Sequence, residues 1–158
     1  ERWTLRHVTT QVESFETFWR DGQTLFAEHA KEVGGREGVI LNPNVSLARA
    51  LEGAGAVQIL TARARGRMVG YLVTLISPTL EDKDLVSAMQ NTFFVAKAYR
   101  GIGPRLQRES IDRLRTRGVG EVILRAGVRG SGPRLGALYQ RLGAREYGRL
   151  YNLILKAA

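Results

Sequence analysis

The sequence predicts one α+β domain, a largely antiparallel sheet with helices packed on it, and three stretches carry that prediction. Two runs rich in β-branched residues, Val57–Ala64 and Met68–Ile76, are joined by Arg65-Gly66-Arg67, a short glycine-containing connection suited to an antiparallel hairpin. A strand at Met89–Val95, a helix at Pro104–Arg117 and a strand at Val119–Ala126 form a crossover that aligns its two strands in parallel. Ahead of both, Phe15, Phe18, Trp19, Leu25, Phe26, Ala30 and Val33 recur at helical spacing between Val12 and Val33. The chain has 158 residues, 44% of them hydrophobic, which suffices for a single core. Its 18 glycines and four prolines are scattered, so no boundary divides it.

Taken in order, Arg2–Val8 reads as a first strand, and Gly22 splits the amphipathic region that follows. Gly34-Gly35 ends that region, because glycine accepts the left-handed conformation that closes a helix. After Pro43-Asn44 a short helix carries Leu47 and Leu51 on one face and closes at Gly53. The hairpin comes next, and Ser77-Pro78 stops its second strand. Thr79–Val86 is a polar loop bearing Glu81, Asp82 and Asp84, the most negative patch of the chain. In the helix after the third run, Pro104 stands where proline is favoured, at the first turn, and Leu106, Ser110, Ile111 and Leu114 form its buried stripe before Gly118. Gly127–Gly132 reads as a loop, Pro133–Leu142 as a helix capped by Gly143, and Ala144–Tyr147 and Leu150–Leu155 as two closing strands around Gly148.

The net charge of +9 raises the question of phosphate binding. All but four of the basic residues are arginine, and they are dispersed along the chain instead of blocked together, which favours solvated surface charge over nucleic-acid recognition. An acidic ligand or partner also remains compatible with that charge. No run approaches the roughly 20 apolar residues of a membrane span, and the N-terminal residues lack a signal pattern, so a cytoplasmic protein without membrane attachment is expected. With no cysteine and only His7 and His29, thiolate chemistry is excluded and no metal site is expected.

One turn is over-supplied with donors. "YRGIGPRLQ", residues 99–107, puts two glycines, a proline and two arginines between a strand and a helix, where orphan backbone N–H groups and the helix dipole favour anions. A compact turn that only starts the helix explains the same residues. The run 93–118, "FFVAKAYRGIGPRLQRESIDRLRTRG", followed by a strand and then by "LGALYQRLGARE", resembles the two central motifs of the GNAT acetyltransferase superfamily. Gly103 and Gly118 lie 15 residues apart, the helix length usual in that family. More loosely, "LEGAG", "LTARARGRMVGY" and "AYRG" are similar to GNAT-like proteins encoded by bacteriophages. With the helix length held fixed, Gly101 and Gly103 match the family's glycines, Ala98 stands where its leading Arg or Gln belongs, and the loop is about two residues short. The other alignment puts Arg100 in the leading position and Arg105 where a small residue is expected.

The resemblance implies a mixed sheet of about seven strands with splayed central strands, acetyl-CoA as co-substrate, and transfer of its acetyl group to a primary amine. It implies that Phe93, Phe94 and Val95 offer backbone groups to the thioester and pantetheine. Arg100, Gly101, Ile102, Gly103, Pro104, Arg105 and Leu106 would surround the diphosphate. Ser131, Arg134, Leu138 and Tyr139 would line the cofactor from the second motif, with Tyr139 as general acid, since a phenol of ordinary pKa near 10 is protonated at neutral pH. Asp82 and Asp84 are the first candidates for the base, ahead of Glu81 and Glu109, although an unshifted carboxylate is a poor base and solvated charge is their simpler reading. Asn91 offers a hydrogen bond only. His29 and Glu32, three apart on a helix, share a face that would border the acceptor site, and a surface pair is their simpler reading. The expected partners are an amine-bearing small molecule or protein and a second copy of the chain. A GNAT-like module that binds CoA or a protein without catalysis, and a basic nucleic-acid binder, are the alternatives.

Overall fold

The computed structural model describes residues 5–34, 40–126 and 132–156. Strand β1 (Val8–Val12) is followed by helices α1 (Phe15–Asp21), α2 (Gln23–Val33) and α3 (Val45–Gly53), then by strands β2 (Val57–Ala64), β3 (Arg67–Pro78) and β4 (Val86–Val95). A 3-10 turn (Lys97–Ile102) leads into α4 (Gly103–Thr116), β5 (Glu121–Ile123) and α5 (Gly132–Arg141). The sheet runs β1-β2-β3-β4-β5, antiparallel except for the parallel β4–β5 pair.

Local chemistry accounts for the turns. Ser14 caps α1, its side chain accepting the Thr17 N–H, and Asn44 caps α3 through the Leu47 N–H at 3.0 Å. Between Ala64 and Arg67 the chain reverses through Arg65 (φ 52°) and Gly66 (φ 78°), two positive angles that match the twist of a two-residue hairpin.

Helices cover both faces of the sheet. On one, Phe15, Phe18, Leu25 and Phe26 of α1 and α2 pack on Ile59, Tyr71, Val73 and Phe94. On the other, Ile102 and Leu106 pack on Leu60, Ala62, Val69 and Val95. A Cβ at Gly70 would lie 3.2 Å from Leu106 Cδ1 and 3.4 Å from the Phe94 carbonyl oxygen, so this glycine lets α4 settle close on β3. Further along α4, Leu114 closes over Ala88 and Val119.

The architecture is the expected α+β one, and several boundaries differ. The first strand is Val8–Val12, paired with Leu60–Ala64, instead of Arg2–Val8; Leu5 and Arg6 are helical. As an edge strand it carries Thr9, Thr10 and Gln11, so apolar periodicity does not mark it. Of the strand expected at Val119–Ala126, only Glu121–Ile123 pairs. Ala144–Tyr147 and Leu150–Leu155 form no strands, and the sheet has five strands among the described residues where seven were expected. Among the described residues those two segments pair with no strand of the sheet. Gly35, the first residues of the expected Arg2–Val8 strand and the loop 127–131 lie outside the described residues.

Candidate functional site

The site is a gap in the sheet. β4 pairs with β5 only at Ser87↔Glu121, Ala88↔Val122 and Met89↔Ile123, whereas its pairing with β3 continues to Val95↔Gly70. From Gln90 to Val95, therefore, the edge of β4 that faced β5 has no strand partner among the described residues. A bulge lies at the point of divergence: Val73 pairs with Thr92 and Thr74 with Gln90, leaving Asn91 as an extra, exposed residue. The bulge resets the alternation, so Ala88 and Gln90 before it and Phe93 and Val95 after it all face α4. Its backbone geometry carries no signal in the sequence.

The glycine turn borders this gap. Gly103 begins α4 against the Phe93 ring, whose Cζ lies 3.5 Å from where a Cβ on Gly103 would stand. Pro104 occupies the first turn, as expected. The 3-10 turn passes into α4 with Ile102 (φ −84°, ψ −12°) and Gly103 (φ −50°, ψ −50°) both right-handed. Tyr99 N–H donates to Ala96 O at 2.8 Å and Gly103 N–H to Arg100 O, so the Gly103 amide, expected to point at a diphosphate, is spent inside a continuous helical run. Lys97 N–H, at the free end of that run, faces Glu28 Oε1 at 3.4 Å.

The side chains of the turn are engaged as well. Arg100 pairs with Glu32. Arg105 Nε donates to Glu109 Oε1 at 2.9 Å and its Nη1 to Val8 O at 3.0 Å. Ile102 and Leu106 point into the core, and a Cβ at Gly101 would stand 2.7 Å from Leu5 Cδ1. The gap thus has two different environments. The edge of β4 beside Phe93, Phe94 and Val95 is open among the described residues, whereas in the glycine turn the Gly103 amide and the side chains of Arg100 and Arg105 are already engaged.

On the other wall, Tyr139 and Leu138 of α5 are buried. The Tyr139 O–H donates to Arg125 O at 3.0 Å, on the chain that continues β5 beyond its last pair with β4, and burial pushes the phenol up to about 12. Arg134 is exposed on α5, and Ser131 lies outside the described residues. Asp82 and Asp84 are exposed in the β3–β4 loop, Asp84 N–H donating to Asp82 Oδ1 at 2.9 Å. That loop precedes the first residue of β4. At about 3.3 Å per residue it lies more than 20 Å along the strand from Phe94, so neither carboxylate joins the gap. Glu109 is held by Thr10 and Arg105, which lower its pKa against the upward push of burial.

His29 and Glu32 do not form a surface pair. His29 is 5% exposed, stacks on Phe94 with ring centroids 4.3 Å apart and planes 10° from parallel, and has Nδ1 2.5 Å from the Tyr71 hydroxyl. Burial lowers its pKa, with Glu32 opposing. Glu32 turns outward to Arg100. Helical spacing places both on one side of α2 without showing that the interface boundary passes between them.

No protein-family model and no curated protein sequence matches the chain. Solved structures do. An aminoglycoside acetyltransferase from an uncultured soil metagenomic sample superposes with a TM-score of 0.69 at 22% identity, over 94% of this chain and 99% of that one. Ribosomal-protein-alanine N-acetyltransferase from Brucella melitensis biovar Abortus 2308 gives 0.68 at 20% identity, over 94% and 99%. A transcriptional regulator from Bacillus halodurans C-125 gives 0.72 at 22% identity, over 94% and 100%. The fold is that of the GNAT acetyltransferases.

Proposed function

We propose that the chain is an acetyl-CoA-dependent N-acetyltransferase that passes an acetyl group to a primary amine. The observation that carries this reading is the divergence of β4 from β5 after Met89, with the Tyr139 hydroxyl on the continuation of β5. Acetyl-CoA supplies an acetyl group already activated as a thioester. Backbone N–H groups of Phe93–Val95 orient the pantetheine amides, and one of them polarises the thioester carbonyl where negative charge develops. The neutral amine attacks that carbon, the C–S bond breaks, Tyr139 gives its proton to the leaving sulfur, and the proton that the acylated nitrogen sheds restores the phenol. Its raised pKa keeps it protonated throughout the neutral range, and in acting it exchanges the Arg125 carbonyl for sulfur. Arg100 and Arg105 serve the diphosphate by leaving Glu32 and Glu109. The acceptor is an amine-bearing small molecule or protein; an aminoglycoside and a ribosomal protein are the acceptors named for two structural neighbours.

A second reading, a GNAT-like module that binds without catalysis, is favoured by the closed glycine turn. Calorimetry with acetyl-CoA, followed by an amine panel with free-thiol detection, separates the two. The catalytic reading expects binding heat, thiol release, and a loss of about 100-fold in kcat for Tyr139→Phe. Gly103→Glu should abolish the heat by bringing a carboxylate to the phosphates, and Glu32→Ala should tighten binding by freeing Arg100. Heat without thiol release supports a module that binds CoA; no heat in any variant sinks the catalytic reading and leaves only a module that binds a protein.

A further inference from the structure

Acetyl transfer at the gap leaves one chemical role without a side chain. An acceptor ammonium of ordinary pKa near 10.4 has no lone pair at neutral pH and must lose a proton before it attacks. The carboxylates weighed for that task stand elsewhere: Asp82 and Asp84 at the far end of β4, Glu109 on the α4 face with Thr10 and Arg105, and Glu32 turned to Arg100. His29 does touch the strand that borders the gap. Its ring lies flat on Phe94, centroids 4.3 Å apart, in the core of the α1–α2 face. That face matters, because Ile102 and Leu106 of the glycine turn and α4 pack on the other one. A cofactor held by its diphosphate at the turn crosses the sheet through the gap, and its thioester is open to an acceptor from the α1–α2 side.

The surroundings of the ring suit a base. Nδ1 lies 2.5 Å from the hydroxyl of Tyr71, which is fully buried and hydrogen-bonded to Thr92, the residue after the bulge. With Nδ1–H donating to the Tyr71 oxygen, the lone pair stands on Nε2, which has no hydrogen-bond partner among the described residues. Burial keeps the imidazole neutral at pH 7, and the Glu32 carboxylate favours the charge once a proton arrives. The other charged groups on the elements around it are Glu28 of α2, at the Lys97 N–H, and Arg100, which meets Glu32. From α1, β3 and β4 this core receives Phe15, Phe18, Tyr71 and Phe94, all uncharged at neutral pH.

We propose that His29 is the general base of the transfer, taking a proton from the acceptor ammonium on Nε2 through one bridging water, and that Tyr71 is the positioning residue that fixes its tautomer. This rests on the acetyl-transfer reading above. The freed electron pair of the amine forms the N–C bond as the C–S bond breaks, and the imidazolium returns its proton to solvent before the next turnover. The test follows thiol release with saturating acetyl-CoA and an acceptor amine between about pH 5.5 and 9. In the unmodified protein kcat should rise at the acid end and level off by the ordinary histidine value of 6.5, because His29 is then neutral and does the deprotonation. In His29→Gln it should be about 100-fold lower at pH 7 and climb about tenfold per pH unit to the end of the range, since only free amine then reacts. Acetyl-CoA should bind that variant with unchanged heat. Tyr71→Phe keeps the imidazole and the ring packing, serves if His29→Gln does not fold, and should lower kcat about tenfold. A levelled profile in His29→Gln, or an unmodified kcat in Tyr71→Phe, overturns the assignment and leaves acetyl transfer standing. No thiol release from the unmodified protein with any amine overturns both.

Discussion

The two faces of the sheet are sealed by different chemistry. On the α1–α2 side, Phe18, Phe26 and Tyr71 meet edge to face, with centroids 4.9 to 5.4 Å apart and planes 66° to 77° from parallel. On the α4 side, beside the aliphatic cluster, a polar row crosses three strands in register: Gln58, Thr74 and Gln90, all at most 3% exposed. From above, Gln107 exchanges hydrogen bonds with Gln90 at 2.5 and 3.2 Å, and Ser110 accepts from Gln58 at 3.2 Å through its carbonyl. Ring contacts supply burial with a broad energy minimum. Amide pairs are directional and costly to leave unmade, so they set where α4 sits along β4. The aromatic face holds the domain together, and the polar row positions Gly103 against Phe93 at the mouth of the gap.

Five variants break or sharpen that contrast. Phe18→Ala, at a fully buried ring, should cost about 3–5 kcal/mol in urea unfolding; a loss below 1 kcal/mol would mean that the rings do not dominate. Gln107→Ala leaves Gln90 buried without its partner and should cost about 1–3 kcal/mol. Replacing both Gln90 and Gln107 by Leu should recover stability while loosening the placement of α4, read as faster amide exchange in the glycine turn; equal protection would refute the positional role.

His29 gives a pH signature to the aromatic face. Burial holds its folded pKa below the ordinary 6.5, so the unfolded chain binds the extra proton first. Stability present above that value is lost as pH falls toward the folded pKa. Between pH 7 and 5 the Tm should fall more steeply for the native chain than for His29→Gln, and parallel curves would contradict the assignment. The smallest effect belongs to Thr74→Val. Among the described residues the buried Thr74 hydroxyl has no hydrogen-bond partner, so its removal should be neutral or stabilise by up to about 1 kcal/mol; a loss above that would reveal a partner for the hydroxyl.

Much of this was legible beforehand, for identifiable reasons. The β2–β3 hairpin announced itself through β-branched runs flanking Arg65-Gly66, and α4 through Pro104 and a stripe at 3.6-residue spacing, because these signals act within a few residues. The order of elements, and hence the parallel β4–β5 crossover with Phe93–Val95 on its first strand, followed from them. The residues of the glycine turn were identifiable, and so was Tyr139 on its helix.

What those residues touch was not. That Arg100 meets Glu32, that Gly101 backs onto Leu5, and that Asp82 lies at the far end of β4 from Phe94 are contacts between distant parts of the chain, which local spacing does not encode. By itself the sequence determined the β2–β3 hairpin, the strand β4 and the helices α1 to α5, since propensity, periodicity and turn chemistry are short-range. Only the tertiary structure decided where β4 and β5 part, which donors are already taken, and that the apolar segment after α5 stands outside its own sheet. Each of these is settled by competition among partners brought together only when the chain has folded.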